Sequence, residues 1–189
     1  MQFSLKPLLH SKKSGVMSPG MKQDADFWIQ RLGLEAHPEG GYFRRIMSSP
    51  ESFGSPPAPR FDGDRPFYSV IYYLLRTGQF SAVHRLNNDE IWHYCAGNSL
   101  VLFSLGEERT PDKALLGPHP HSGQDILIRV PAGTWFGAYP KQGDVDYTLV
   151  TCFVSPAFDY RDFELGGAAE LAETFPQHRE TIRKYCIRP

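Results

Sequence analysis

With 189 residues, 41% apolar and 22% charged, the chain has the length and balance of one globular domain with a buried core. Twenty basic residues against 21 acidic ones leave a net charge of −1 with no long block of one sign, which argues against a protein that coats a nucleic-acid polymer. No apolar stretch approaches the roughly 20 residues that cross a bilayer. The cysteines, Cys95, Cys152 and Cys186, form no CxxC pair, so a reducing compartment fits and the cytoplasm is the expected location.

Residues 1–23 carry lysine, serine, glycine and proline but no acid and no arginine. They read as a disordered extension rather than an organelle leader. Asp24 has the chemistry of an N-cap, and the run through Leu32 predicts a short helix that Gly33 ends. The sequence His37, Pro38, Glu39, Gly40, Gly41 reads as a turn, followed by a strand over 42–47. Residues 48–66, rich in proline, glycine and serine, predict a mobile loop.

From residue 67 the pattern changes. Short runs rich in aromatic and β-branched residues predict strands over 67–75, 80–86, 91–95, 99–105, 125–130, 135–139 and 147–154. Turn residues separate them, as at Gly97, Gly117, Gly133 and Gly143. Cys95 and Cys152 fall inside strands and read as core. After Phe163 the spacing becomes helical, with Pro176 interrupting it. Many short strands at near-regular intervals predict a mainly β protein, a barrel or jelly roll. The predicted layout is one β domain over 24–165, with a helical segment over 166–189 packed against it.

The stretch from Gly78 to Gly97 is the most specific. Gly78, His84, Glu90 and Gly97 resemble the first cupin motif, G-x5-H-x-H-x3-E-x6-G, with Leu86 where the second histidine would stand. Side chains alternate along a strand, so His84 and residue 86 share a face, and the next strand returns Glu90 to that face. Pro131, Ala132 and Gly133 resemble the centre of the second motif, G-x5-P-x-G-x2-H-x3-N. There Phe136 replaces its histidine, Pro140 its asparagine and Asp125 its leading glycine. In metal-binding cupins the two motifs supply three histidines and a glutamate. Leu86 and Phe136 cannot coordinate a metal, and parity turns His93 away from Glu90. No cofactor is therefore expected, with a divalent metal held through other ligands as the alternative.

A broader resemblance spans residues 24–163. The phrases 37–44, 71–75 and 130–135, His84 and Arg85 with Asp89, Glu90, Trp92 and His93, and 155–160 followed by 163–165 are similar to the cupin-5 family. Ala157 stands where that family often has glycine. The resemblance implies a single cupin barrel, a double-stranded β-helix or jelly roll with short flanking helices at the N- and C-termini. It also implies a homodimer, and no established activity.

His84 and Glu90 are the candidates for chemistry, because a buried carboxylate beside an imidazole has coupled, shifted titrations. The bland alternative is a structural hydrogen-bonded pair. Arg44 or Arg45 is expected to face inward, and Arg44 is the candidate for an anionic ligand. Trp92, Tyr72 and Phe136 are candidate pocket walls or plain core. His119 and His121 read as solvated loop residues. Two functions follow. One is a small-molecule binding module for an anionic nucleotide- or sugar-phosphate-like metabolite. The other is a metal-independent epimerase or isomerase using His84 and Glu90 on a sugar nucleotide, with a metal-dependent cupin enzyme as a further alternative. Neither involves a nucleic-acid polymer or a membrane.

Overall fold

The computed structural model describes residues 23–187; the extension expected over residues 1–23 lies outside them but for Gln23. Helix α1 (Ala25–Leu32) forms where predicted. The Asp24 carboxylate accepts the Phe27 N–H at 2.9 Å, and Gly33 closes the helix in the left-handed region. Eleven strands follow: β1 (Glu35–Ala36), β2 (Tyr42–Ser48), β3 (Ser69–Arg76), β4 (Ser81–Leu86), β5 (Asp89–Gly97), β6 (Leu100–Ser104), β7 (Asp112–Leu116), β8 (Leu127–Val130), β9 (Phe136–Pro140), β10 (Tyr147–Ser155) and β11 (Phe163–Leu165). Helices α2 (Ala168–Thr174) and α3 (Arg179–Tyr185) close the chain, with a 3-10 turn at Pro176–His178 between them.

The strands form two antiparallel sheets, ordered β1-β2-β3-β10-β5-β8 and β11-β4-β9-β6-β7. This is the mainly β jelly roll that the sequence predicts, with short helices at both ends. Each helix covers an outer face. Ala25 and Leu32 of α1 pack on Leu74, Tyr147 and Leu149 of the first sheet. Leu171 and Ile182, from α2 and α3, pack on Val83, Phe103 and Trp135 at the second. No helix is long and apolar enough to cross a membrane among the described residues.

Between the sheets the filling is uneven. Tyr73, Trp92, Leu100, Leu102, Phe136 and Val150 pack one end of the interior solid. At the other end the inward positions of the same strands carry Ser69, Ile71, Glu90 and Val154, and a cavity opens there. Its position follows from side-chain volume along each strand: large rings at one end, shorter side chains at the other.

Three local readings change. Strand β7 was not expected, because Asp112, Lys113 and Ala114 have little β propensity; pairing along the whole of β6 imposes the conformation. Cys95 is exposed, not core. It lies on the outward face of β5 with His93, and the register on β10 steps from Ala96 to Tyr94, so Cys95 is also the extra residue of a β-bulge. The loop over 48–66 is anchored rather than free. Arg65 is 1% exposed and grips Asp162 through two bonds, Nε to Oδ2 at 2.8 Å and Nη2 to Oδ1 at 3.1 Å, while Nη1 donates to the Asp62 and Asp64 carbonyls.

Candidate functional site

The cavity is small, about 40 Å³, and opens to solvent through its mouth. Apolar walls come from Phe43, Ile71, Leu86, Val154, Phe158 and Phe163, and polar groups enter from three directions. His84 projects from β4 and Glu90 from β5, as strand parity predicts. Leu86 shares their cavity, occupying with a hydrocarbon the place a second histidine would take. His93 is exposed on the far face of β5.

The third direction is the turn between β1 and β2, which brings His37 and Glu39. Gly40 and Gly41 make this turn possible. Both have positive φ, and a Cβ would lie 2.3 Å from the Phe80 carbonyl at Gly40 and 2.6 Å from the Leu74 carbonyl at Gly41. A close-fitting glycine pair thus wedges the turn between β3 and β4, and the Tyr73 hydroxyl locks it by donating to the Gly40 carbonyl at 2.7 Å. In the sequence these residues read as turn chemistry alone. The available signal was a histidine and a glutamate placed directly before a glycine pair, but no spacing rule links them to His84.

Glu39 is buried, accepts the Ser81 hydroxyl at 3.0 Å through Oε1, and brings Oε2 to 3.2 Å from His84 Nδ1. His84 Nδ1 also lies 2.7 Å from the Ala82 carbonyl. A carbonyl only accepts, so Nδ1 carries the proton and Nε2 is the acceptor nitrogen. Burial holds the His84 imidazole below its ordinary value, opposed by the charge of Glu90. Burial likewise lifts the Glu90 carboxyl to about 7, opposed by His84 and reinforced by Glu39. Glu39 is raised by burial, with His37 opposing, and His37 is lowered by burial. Glu90 Oε2 is buried with no hydrogen-bond partner among the described residues. Cys152 also borders the cavity, but burial and both carboxylates push its thiol far up, so it is no nucleophile.

The remaining candidates divide. Trp92 and Phe136 lie in the packed interior beside the cavity, with the Phe136 ring 4.3 Å from His84 and 6.1 Å from Trp92. Tyr72 points to the outer face of the first sheet, near α1. Arg44 is exposed and donates to the Leu32 carbonyl at 2.8 Å, finishing α1 rather than entering the barrel. Parity gives the reason: Phe43 faces in, so its neighbour faces out. No lysine or arginine borders the cavity among the described residues, and the anionic ligand expected from an inward arginine loses its support. Arg85 lies outside over the Trp135 ring, paired with Glu164. His119 and His121 are exposed.

The cupin metal does not fit this donor set. Leu86 and Phe136 remove two of the four ligands, and no group of three His, Cys, Asp or Glu side chains is placed to hold a metal among the described residues.

Comparison with known families agrees with this fold. The family model Cupin_5, described as Cupin superfamily (DUF985), matches residues 26–166. The chain belongs to the cupin-5 family. A hypothetical protein from Leishmania major superposes with a TM-score of 0.79 at 34% identity, covering 87% of this chain and 99% of its own. A protein from Shewanella oneidensis gives 0.78 at 37% identity, covering 89% and 100%. A cupin-2 domain from Rhodospirillum rubrum, 14% identical with a TM-score of 0.52 over 92% and 94%, shares the fold alone. No curated protein matches.

Proposed function

We propose that this cupin-5 protein is a metal-independent proton-transfer enzyme of the isomerase or epimerase type, acting on a small carbonyl compound inside the barrel. One observation carries the reading: Glu90, lifted by burial to about 7, shares an apolar cavity with the neutral His84. A carboxyl poised near neutrality keeps its proton long enough to donate it, and an imidazole with a free Nε2 accepts one.

The step balances without a metal. His84 Nε2 takes the proton from the carbon next to the carbonyl as that C–H bond breaks. Glu90 donates its proton to the carbonyl oxygen, forming an enol. Return of a proton to carbon, with the hydroxyl proton going back to Glu90, completes isomerisation or epimerisation. Glu39 and the Ala82 carbonyl hold the His84 ring in the tautomer that leaves Nε2 open.

A binding module without turnover is the second reading, favoured by the preponderance of apolar wall over polar groups. Incubation in D2O with dihydroxyacetone, fructose, glucosamine and a keto-sugar nucleotide separates the two. Proton NMR reads loss of the C–H signal beside the carbonyl. Enzyme-dependent loss with one of these probes, abolished in His84→Asn and Glu90→Gln, is the expected result. Equal loss in the wild type and both variants refutes the reading. So does a probe that raises the melting temperature while its C–H signal persists, which leaves the binding module.

A further inference from the structure

The charge of the cavity points to its ligand. Its border contains two carboxyl groups, Glu39 and Glu90, and no lysine or arginine among the described residues. Glu90 is 7% exposed, and its Oε2 has no hydrogen-bond partner among those residues. The Trp92 indole N–H, itself without a partner among those residues, and the Cys152 thiol come close enough to steady the ionised Glu90, but neither completes a hydrogen bond to Oε2, which still lacks a full donor. Phe43, Phe158 and Phe163 line the same cavity.

From this geometry we infer that the cavity binds the protonated amine of a small ligand, an alkylammonium or amino-sugar group, and excludes anions. The inference rests on the cavity being the ligand site, as in the reading above, but not on turnover. Two terms favour a cation. A carboxylate attracts it strongly where water is displaced, and aromatic rings add a cation–π contribution. An anion would meet the opposite: desolvation, a neighbouring negative charge, and no basic side chain to offset them.

The pair matches a single ammonium. The charge of Glu39 makes ionisation of Glu90 harder, so the two carboxyls hold one negative charge more readily than two. That one charge balances one ammonium. The titratable groups around the pair are His84 on β4, His37 on the β1–β2 turn, Tyr73 on β3 and Cys152 on β10. None is a permanent cation, so nothing in the wall competes with the ligand.

The test is thermal denaturation of the full chain at pH 7.5 with dimethylammonium chloride, methylammonium chloride, potassium chloride, sodium acetate or inorganic phosphate. For a millimolar dissociation constant, about 10 mM of either amine raises the melting temperature by roughly 3–6 °C. Potassium chloride at the same ionic strength gives no such rise, and neither does acetate or phosphate. In Glu90→Gln and Glu39→Gln the amine-induced rise falls by more than half. If a variant fails to fold, transferred NOEs from the dimethylammonium methyl protons to the rings of Phe43, Phe158 and Phe163 in the wild type locate the probe instead. An equal rise with potassium chloride, a rise with phosphate, no rise with either amine, or a rise that survives both substitutions overturns the inference. Amine binding without C–H exchange would sink the proton-transfer reading alone, and exchange on an uncharged or anionic probe without amine binding would sink this inference alone.

Discussion

Replacing Glu90 with glutamine removes one buried titration and leaves the shape of the side chain, so its signature is a change in how stability depends on pH. In the unfolded chain the carboxyl has its ordinary value of 4.5; in the fold, burial lifts it to about 7. Between these values the native state holds a proton that the unfolded state has lost. The stabilisation from that proton is complete below 4.5 and is lost as pH rises through 7. At ~1.4 kcal/mol per pH unit the difference corresponds to about 3 kcal/mol as a ceiling. Glutamine does not titrate, so the stability of Glu90→Gln relative to wild type should climb with pH, by about 2–3 kcal/mol between pH 5 and pH 8. For a chain of this length that is roughly 4–12 °C in melting temperature. His84 does not mask the effect above pH 6.5: its depressed value makes its contribution full there and lost only on acidification. Glu39, raised in the same direction, adds a slope that both proteins share. Urea denaturation followed by tryptophan fluorescence at pH 5, 6, 7 and 8 measures the difference directly. Any constant packing cost of the amide drops out, since only the change with pH is read. A wild type and variant whose curves stay parallel within about 0.5 kcal/mol would show that Glu90 titrates normally, and the acid–base account of the cavity would fail with it.

His84→Asn should stay folded, because asparagine can still donate to the Ala82 carbonyl, while C–H exchange is lost; circular dichroism and the NMR assay together check this. Asp162→Ala strands the buried Arg65 guanidinium and should cost about 3–5 kcal/mol in urea denaturation, far more than removal of an exposed pair such as Arg129 with Asp89. Dialysed protein should carry less than one equivalent of transition metal and change little in melting temperature with chelator; stoichiometric metal by elemental analysis would contradict the donor geometry. Among the described residues β1 reaches only Tyr42 and Phe43 of β2 and leaves the rest of that strand an open edge, so light scattering is expected to give twice the 21.4 kDa chain mass; a monomer at micromolar concentration would refute the pairing.

Much of this protein was legible before any coordinates, and for local reasons. Alternation along a strand placed His84, Leu86 and Glu90 on one inward face and His93 on the other, because the period of two is a property of the backbone itself. Asp24 and Gly33 bounded α1 because capping involves neighbours three residues apart. The absence of ligands at 86 and 136 was likewise written in the residues. Parity did not locate Arg44 without a reference: the turn at Gly40 and Gly41 set the phase of β2, and only the observed inward Phe43 fixed it. Cys95 shares the outward parity of His93, so alternation alone exposes it; what needed the pairing with β10, some 50 residues away, was the bulge that turns the next residue, Ala96, to the outer face. Glu39 and His37 were beyond reach for a related reason. Nothing near them in sequence says that their turn is wedged between β3 and β4, beside His84. Local spacing therefore determined which side chains face inward on each strand, and only the closing of the two sheets decided which of them meet. Burial, the origin of every shifted proton in the cavity, belongs to that closure, since a carboxyl is desolvated by atoms distant in the chain.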